Sequence, residues 1–289
     1  MDKALRSLLF LFTLFFLSSL NAHLPGRILV TACNEPYFDT CLTLISSIHH
    51  TSLASVDRIY VYNLGLTAAH ITALNSLYKV EVRDFETLQG KYPNMDPDFF
   101  YKKPHCCAWK QVSLNDASDQ DGDLILWLDA GVLLLKSAQE IFDLIARDDI
   151  FLVRDNWHNY TWTHPKCALI MKATEKELRD YQLCAGIQGY KKGGAYQKMM
   201  DKALKYSLIR ECIDGHLSCH YGQLIPGEEI LGHRHDQSIL SILASRYHCP
   251  THSIYRYGEW RTLEQCQKQD SVIWVHRRQH HDHSHLKWR

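Results

Sequence analysis

The sequence predicts an α/β/α sandwich around a mostly parallel central sheet. Two observations point to it. Apolar, β-favouring runs alternate with segments of helical spacing, the order expected of parallel strands joined by crossover helices. One run, Leu124 to Leu128, is apolar without a break between Asp123 and Asp129, as in a strand buried on both faces. A length of 289 residues allows one large domain, and neither a repeat nor a linker divides it.

The first strand is expected over Arg27-Ile28-Leu29-Val30-Thr31-Ala32, ending at Cys33-Asn34-Glu35-Pro36. From Phe38 to His49, apolar residues at Phe38, Cys41, Leu42, Ile45 and Ile48 share a helical face. Arg58 to Tyr62 is the second strand, ending at Asn63-Leu64-Gly65, and Thr67 caps a helix running to Leu77. Val80 to Phe85 is the third. Residues 86–104 read as a long loop, and His105 to Ala117 as a helix bearing Trp109, read as core packing, and Lys110. The acidic stretch Asp119 to Asp123 has no terminal glutamate and reads as a solvated turn, not a calcium loop.

Beyond Asp129 a helix is expected over Ala138 to Ile145 and a strand over Ile150 to Val153. Residues 154–195 are aromatic, polar and glycine-bearing, and fit a pocket wall or a small sheet; Gly186 and Gln188 lie here. Tyr196 to Arg210 and the segment after His235-Asp236-Gln237-Ser238 read as helices, with Asp236 a good N-cap. Ser271 to Val275 is a last strand ending at His276. His280, His281, His283 and His285 mark residues 280–289 as a flexible polar tail.

Composition narrows the function. Apolar residues are 46% and charged residues 22%, an ordinary globular balance, and 32 basic residues equal 32 acidic ones. No global field draws the chain to nucleic acid. Lys3 and Arg6, the apolar run Leu8 to Leu17 and the small residues up to Ala22 have the order of a secretory leader over residues 1–22. An uncleaved leader would serve as a short membrane tether through residues 8–20. With export, ten cysteines become candidates for disulfides, Cys212 with Cys219 and Cys249 with Cys266 first. Cys33 and Cys41 read as buried thiols, and Asn159-Tyr160-Thr161 fits a glycosylation acceptor.

Three strand ends, at Asn34, at Asn63-Leu64-Gly65 and at Asp129, point to one sheet edge, where open α/β sheets bind ligands. A nucleotide there would meet amides, a glycine turn and a carboxylate. No glycine-rich phosphate loop occurs at any strand-to-helix junction, which argues against dinucleotide cofactors, P-loop nucleotides and methyl transfer.

The ordered set Leu29 to Asn34, Tyr60 to Leu66, Ala108-Trp109-Lys110, Leu126 to Gly131 and His233 to Ser238 resembles the GT-A glycosyltransferases, more narrowly the nucleotide-diphospho-sugar transferase-like proteins. The resemblance spans roughly residues 27–280 and implies a GT-A like domain over 23–279 with a smaller acceptor-side region. It implies transfer of a sugar from a nucleotide-diphosphate donor to a glycan, protein or lipid hydroxyl, in the Golgi or endoplasmic reticulum lumen or after secretion. A catalytically silent binding protein of the same fold is the alternative. Asp129 and Asp236 would be catalytic. Ala32, Asn34, Asn63, Lys110, Asp129 and Gly131 would hold the donor, and Gly186, Gln188, Asp236 and Gln237 would face the acceptor. Asp129 and His276 would ligate manganese or magnesium. Gly131 stands where the family's motif carries its second acid, so one carboxylate and one histidine are a thin set for a hard divalent ion. Either Asp129 and the diphosphate hold the ion, or the site works without metal, or catalysis has been lost.

Overall fold

The structure, a computed structural model, describes residues 26–92, 106–119, 122–214, 223–258 and 261–289. The leader, the tether stretch, the loop beyond residue 92, the middle of the Asp119 to Asp123 turn and Cys219 lie outside the described residues. Among the described residues no helix is long and apolar enough to cross a membrane.

Nine strands are described: β1 (Arg27–Cys33), β2 (Arg58–Asn63), β3 (Val80–Asp84), β4 (Leu124–Leu128), β5 (Val132–Leu134), β6 (Ile150–His158), β7 (Tyr181–Lys191), β8 (His252–Ser253) and β9 (Ile273–Val275). The main sheet runs β3-β2-β1-β4-β7-β6-β8, and β5 pairs with β9 apart from it. β1 lies parallel to both β2 and β4, and β2 parallel to β3. β7 then enters antiparallel, between β4 and β6. The helices of eight residues or more are α1 (Phe38–Thr51), α2 (Ala68–Asn75), α3 (Ala108–Asp119), α4 (Gln139–Asp148), α5 (Gln197–Ser207) and α6 (Asp236–Arg246).

β4 shows why the sandwich forms. It is buried along its whole length, and its side chains alternate between two cores. Ile125 and Trp127 join Val30, Tyr62 and α3, α5 and α6 on one face; Leu124, Leu126 and Leu128 join Leu29, Val61, α1 and α4 on the other. Helices cover both faces, so β4 is apolar throughout rather than alternating.

The apolar run ends at Leu128 as expected, and Val132–Leu134 is a separate strand paired with β9. Three expectations are corrected. Residues 280–289 are strapped to the body: the Asp282 and His285 amides donate to Thr43 Oγ1 and Ser46 Oγ, both at 3.2 Å, and Lys287 N donates to His49 Nδ1 at 2.8 Å. Asn159 cannot accept a glycan in the folded chain, because its amide is buried, donates to Glu177 O at 2.8 Å and accepts from Gln182. Cys249 and Cys266 form no disulfide, and the Cys249 thiol lies 3.3 Å from Met199 Sδ.

Candidate functional site

The cleft lies past the carboxyl ends of β1 and β4 and encloses about 580 Å³. From the first strand come Ala32, Cys33 and Asn34. Asp129, Ala130 and Gly131 come from the end of β4, Cys184 and Gly186 from β7, Gln237 from α6, and Arg277 from the turn after β9. Tyr37, Cys107 and Trp109 complete its wall.

Asp129 is held from three sides. Its amide donates to Gly186 O at 2.9 Å, which ties the end of β4 to β7. Trp127 Nε1 donates to its Oδ1 at 2.6 Å, and the Lys110 ammonium lies 3.1 Å from the same oxygen. Its other oxygen, Oδ2, fills the place of a missing side chain: a Cβ on Gly186 would come within 2.7 Å of it. Glycine is required there so that the carboxylate can lie flat against the backbone. The Asp129 side chain keeps 44% exposure, whereas Lys110 keeps 3% and Asp236 5%. One acid therefore faces the cleft, above a buried ion pair.

That pair is tight. Lys110 Nζ lies 3.1 Å from Asp236 Oδ2 and donates to Ala185 O at 3.2 Å. Burial alone would lower the lysine's pKa, but Asp129 and Asp236 outweigh it and raise it, so Lys110 is an ammonium at any working pH. Burial raises Asp236 above the usual carboxylate range, against the pull of Lys110. Asp236 opens α6 as its first helical residue, and the N-cap position belongs to His235, at φ 52. The expected capping role of Asp236 thus gives way to the ion pair.

Asn34 offers a different signal. It starts a short 3-10 helix, Glu35–Tyr37, and its side-chain Oδ1 is buried without a hydrogen-bond partner. A buried acceptor on a cleft wall is costly unless a ligand donor completes it.

The other expected residues separate into two groups. Ala32, Gly131, Gly186 and Gln237 line the cleft. Asn63, Gln188, Lys110, Asp236 and His276 do not. Asn63 Oδ1 accepts from Gly65 N at 2.9 Å and Leu66 N at 2.7 Å, so it shapes its own turn. Gln188 is buried in the sheet and donates to Ala185 O. His276 is buried, its two ring nitrogens lack partners, and burial lowers its pKa to about 4, so the ring is neutral. Its backbone does reach the site, since His276 N and Arg277 N both donate to Gly131 O, at 3.0 and 3.1 Å.

These residues do not fit a divalent ion. Asp129 Oδ1 is engaged by an indole and an ammonium, and the ammonium already occupies the space shared with Asp236. Among the described residues no group of three or more His, Cys, Asp or Glu side chains is gathered that could hold a metal.

Sequence reasoning missed Tyr37, Cys107 and Arg277 and placed Trp109 in the core, while Cys184 lies in the stretch read as a pocket wall. Trp109 is half-buried, packed against the core on one side and exposed to the cleft on the other, with its ring 5.7 Å from that of Trp127. The Cys184 thiol is pushed up to about 12 by burial and by Asp129, so it stays protonated.

Structural comparison decides the fold. The chain superposes on mouse xyloside xylosyltransferase 1 with a TM-score of 0.54 and 12% identity, over 89% of this chain and 99% of that one. The chain has a GT-A-like fold. It also matches the bifunctional glycosyltransferase WbbM, at TM-score 0.57 and 9% identity, covering 88% of this chain but only 46% of WbbM. Core-mannan synthase A of Aspergillus fumigatus matches at TM-score 0.52 and 7% identity, over 81% of this chain and 74% of that one. No family model and no curated protein matches the sequence. At these identities the likeness concerns the fold, and the chemistry must be argued from the cleft.

Proposed function

We propose that this chain transfers a sugar from a nucleoside-diphosphate donor to a hydroxyl acceptor within the secretory pathway. The observation that carries this reading is the pairing, on one cleft, of the unsatisfied Asn34 Oδ1 with the fixed, exposed carboxylate of Asp129. A nucleoside supplies N–H and O–H donors for such acceptors, and Tyr37 and Trp109 supply faces for a base or a sugar ring. The secretory location rests on the leader-like residues 1–22.

In the reaction the glycosidic bond to the diphosphate breaks and its electron pair leaves with the phosphate oxygen. The acceptor oxygen bonds to the sugar carbon, and its proton passes to water. Asp129 orients the donor or the acceptor hydroxyl. Lys110 and Trp127 hold it in place.

Calorimetric titration with uridine and guanosine diphosphates tests the reading. Binding to the wild type that is lost in Asp129→Ala supports it; absence of binding by any nucleoside diphosphate refutes it. A second reading, a binding protein without turnover, is favoured by one observation. Among the described residues that line the cleft Asp129 is the one carboxylate, because Asp236 is withdrawn onto Lys110. Release of free sugar from a bound nucleotide sugar separates the two.

A further inference from the structure

The buried ion pair and the rim of the cleft together say how this site handles charge. Three oxygens surround the Lys110 ammonium: Ala185 O at 3.2 Å, and Asp129 Oδ1 and Asp236 Oδ2 at 3.1 Å each. The ammonium donates to Ala185 O, and the two carboxylate oxygens at ion-pair distance balance its charge. Among the described residues Asp236 Oδ2 has no hydrogen-bond partner, and the Lys110 charge 3.1 Å away is what compensates it. A second cation brought to Asp129 Oδ1 would meet a fixed positive charge within one coordination shell. Lys110 cannot withdraw into solvent, because its side chain is 3% exposed.

A leaving diphosphate still needs positive charge, and the cleft offers it elsewhere. Arg277 lines the cleft and is exposed, and among the described residues its guanidinium has no acidic partner. Its position is fixed through the backbone: Arg277 N donates to Gly131 O, and its Cα lies 3.4 Å from where a Gly131 Cβ would stand. Arg278, next in the chain, lies 4.9 Å from the ring centroid of Tyr37, another cleft residue. Both arginines are held in the left-handed region, at φ 50 and 77, a conformation that non-glycine residues adopt at a cost and that recurs at binding sites. The C-terminal strap starts directly after this turn, which fixes it from the far side.

We propose that sugar transfer at this site needs no divalent ion. Lys110 is the built-in cation of the two acids, and Arg277 with Arg278 receives the diphosphate. The roles divide cleanly. Lys110 is a positioning residue that never touches the donor, and Arg277 is the group that meets the leaving phosphate oxygen. The proposal rests on the nucleoside-diphosphate reading above, and its test is split so that the two fail separately.

The metal arm uses manganese alone, followed by electron paramagnetic resonance on the full chain. Wild type is expected to show no saturable binding up to about 1 mM, the weak end of protein sites for hard divalent ions. Lys110→Ala uncovers two carboxylates around a vacated space, and the variant is expected to bind manganese; this gain is not produced by simple loosening of the fold. Should that variant fail to fold, the wild-type titration alone decides. Manganese binding by wild type that disappears in Asp129→Ala overturns the proposal, whatever nucleotides do.

The phosphate arm compares uridine with uridine diphosphate, and guanosine with guanosine diphosphate, in EDTA and in manganese. Diphosphate affinity is expected to agree within about twofold between the two buffers. It is expected to fall about tenfold in the double variant Arg277→Ala, Arg278→Ala, the size of a lost charge-assisted contact, with nucleoside affinity unchanged. Loss of diphosphate binding in EDTA, or equal weakening of nucleoside and diphosphate, overturns it. If no nucleotide binds in either buffer the transferase reading fails, and the manganese arm still rules on the metal.

Discussion

The two halves of the main sheet differ in kind. The half built from β3, β2, β1 and β4 is parallel, with α1 and α2 alternating with β1, β2 and β3. The half built from β7, β6 and β8 is mixed, and β6 changes register against β7 twice, at Leu152/Arg154 and at Arg154/His158. The first half supplies the platform, ending in Asn34 and Asp129. The second supplies what orients Asp129: Gly186 gives it room, and Ala185 O helps anchor Lys110. Platform and alignment thus come from opposite sides of the β4–β7 seam, and substitutions at that seam should be the most damaging.

The largest expected effect is at Lys110. Lys110→Met leaves Asp236 buried without compensation, and loss of one partner of a buried pair costs about 3–5 kcal/mol. Chemical denaturation is expected to show that loss, with most of it recovered in Lys110→Met, Asp236→Asn. No recovery would mean that the pair is not the coupled unit described here. Next comes Gly186→Ala. Its Cβ would lie 2.7 Å from Asp129 Oδ2, so the carboxylate must move. Nucleoside-diphosphate affinity is expected to drop about tenfold, with stability falling by about 1–3 kcal/mol as for other overpacked sites. Unchanged binding would free Asp129 from its assigned position.

A smaller effect is expected from removal of residues 280–289, which lowers the melting temperature by roughly 4–8 °C if the strap contributes about 2 kcal/mol. No shift would return that segment to the flexible tail read from sequence.

The smallest effect concerns pH. His233 Nδ1 accepts from His164 N at 3.1 Å, and Nε2 lies 3.1 Å from Cys212 O, to which it donates, so the neutral ring is the one that fits. Burial, with His235 and His164 nearby, lowers its pKa to about 3 from an ordinary 6.5. The folded state therefore binds its proton less readily than the unfolded state. Stability is complete above the unfolded pKa and declines as pH falls from 6.5 toward 3, by at most about 2 kcal/mol down to pH 5. A His233→Gln variant should flatten that slope in thermal melts; an equally steep slope would assign it to other groups.

The same contrast governs how much the sequence revealed. β1, β2 and β4 were legible because both faces are buried and their runs are mostly apolar, and β3 was legible from its alternation of Val80 and Val82 with Glu81 and Arg83. β7 was not. Gln182, Gly186, Gln188 and Gly189 interrupt its pattern, each for a local reason that appears only in three dimensions. A Cβ on Gly189, for example, would lie 2.4 Å from Ile145 Cδ1 and 3.0 Å from Ile125 O. Asp129 and Asn34 were legible from strand ends. Lys110 was noticed, but its direction was not, because no periodicity tells whether a helix lysine meets a ligand or two carboxylates from other elements. Arg277 lay beside a histidine that drew attention by type, while its own signal, a left-handed turn packed on Gly131, is invisible in one dimension.

A crystal of the full chain soaked with uridine diphosphate or guanosine diphosphate tests the central claim most directly. The account predicts the nucleoside against Asn34 with a donor group on its Oδ1, the diphosphate beside Arg277, and Asp129 still in contact with Lys110 and Trp127. Density for the nucleotide away from the β1 and β4 ends, or a cleft left empty at saturating ligand, would contradict it.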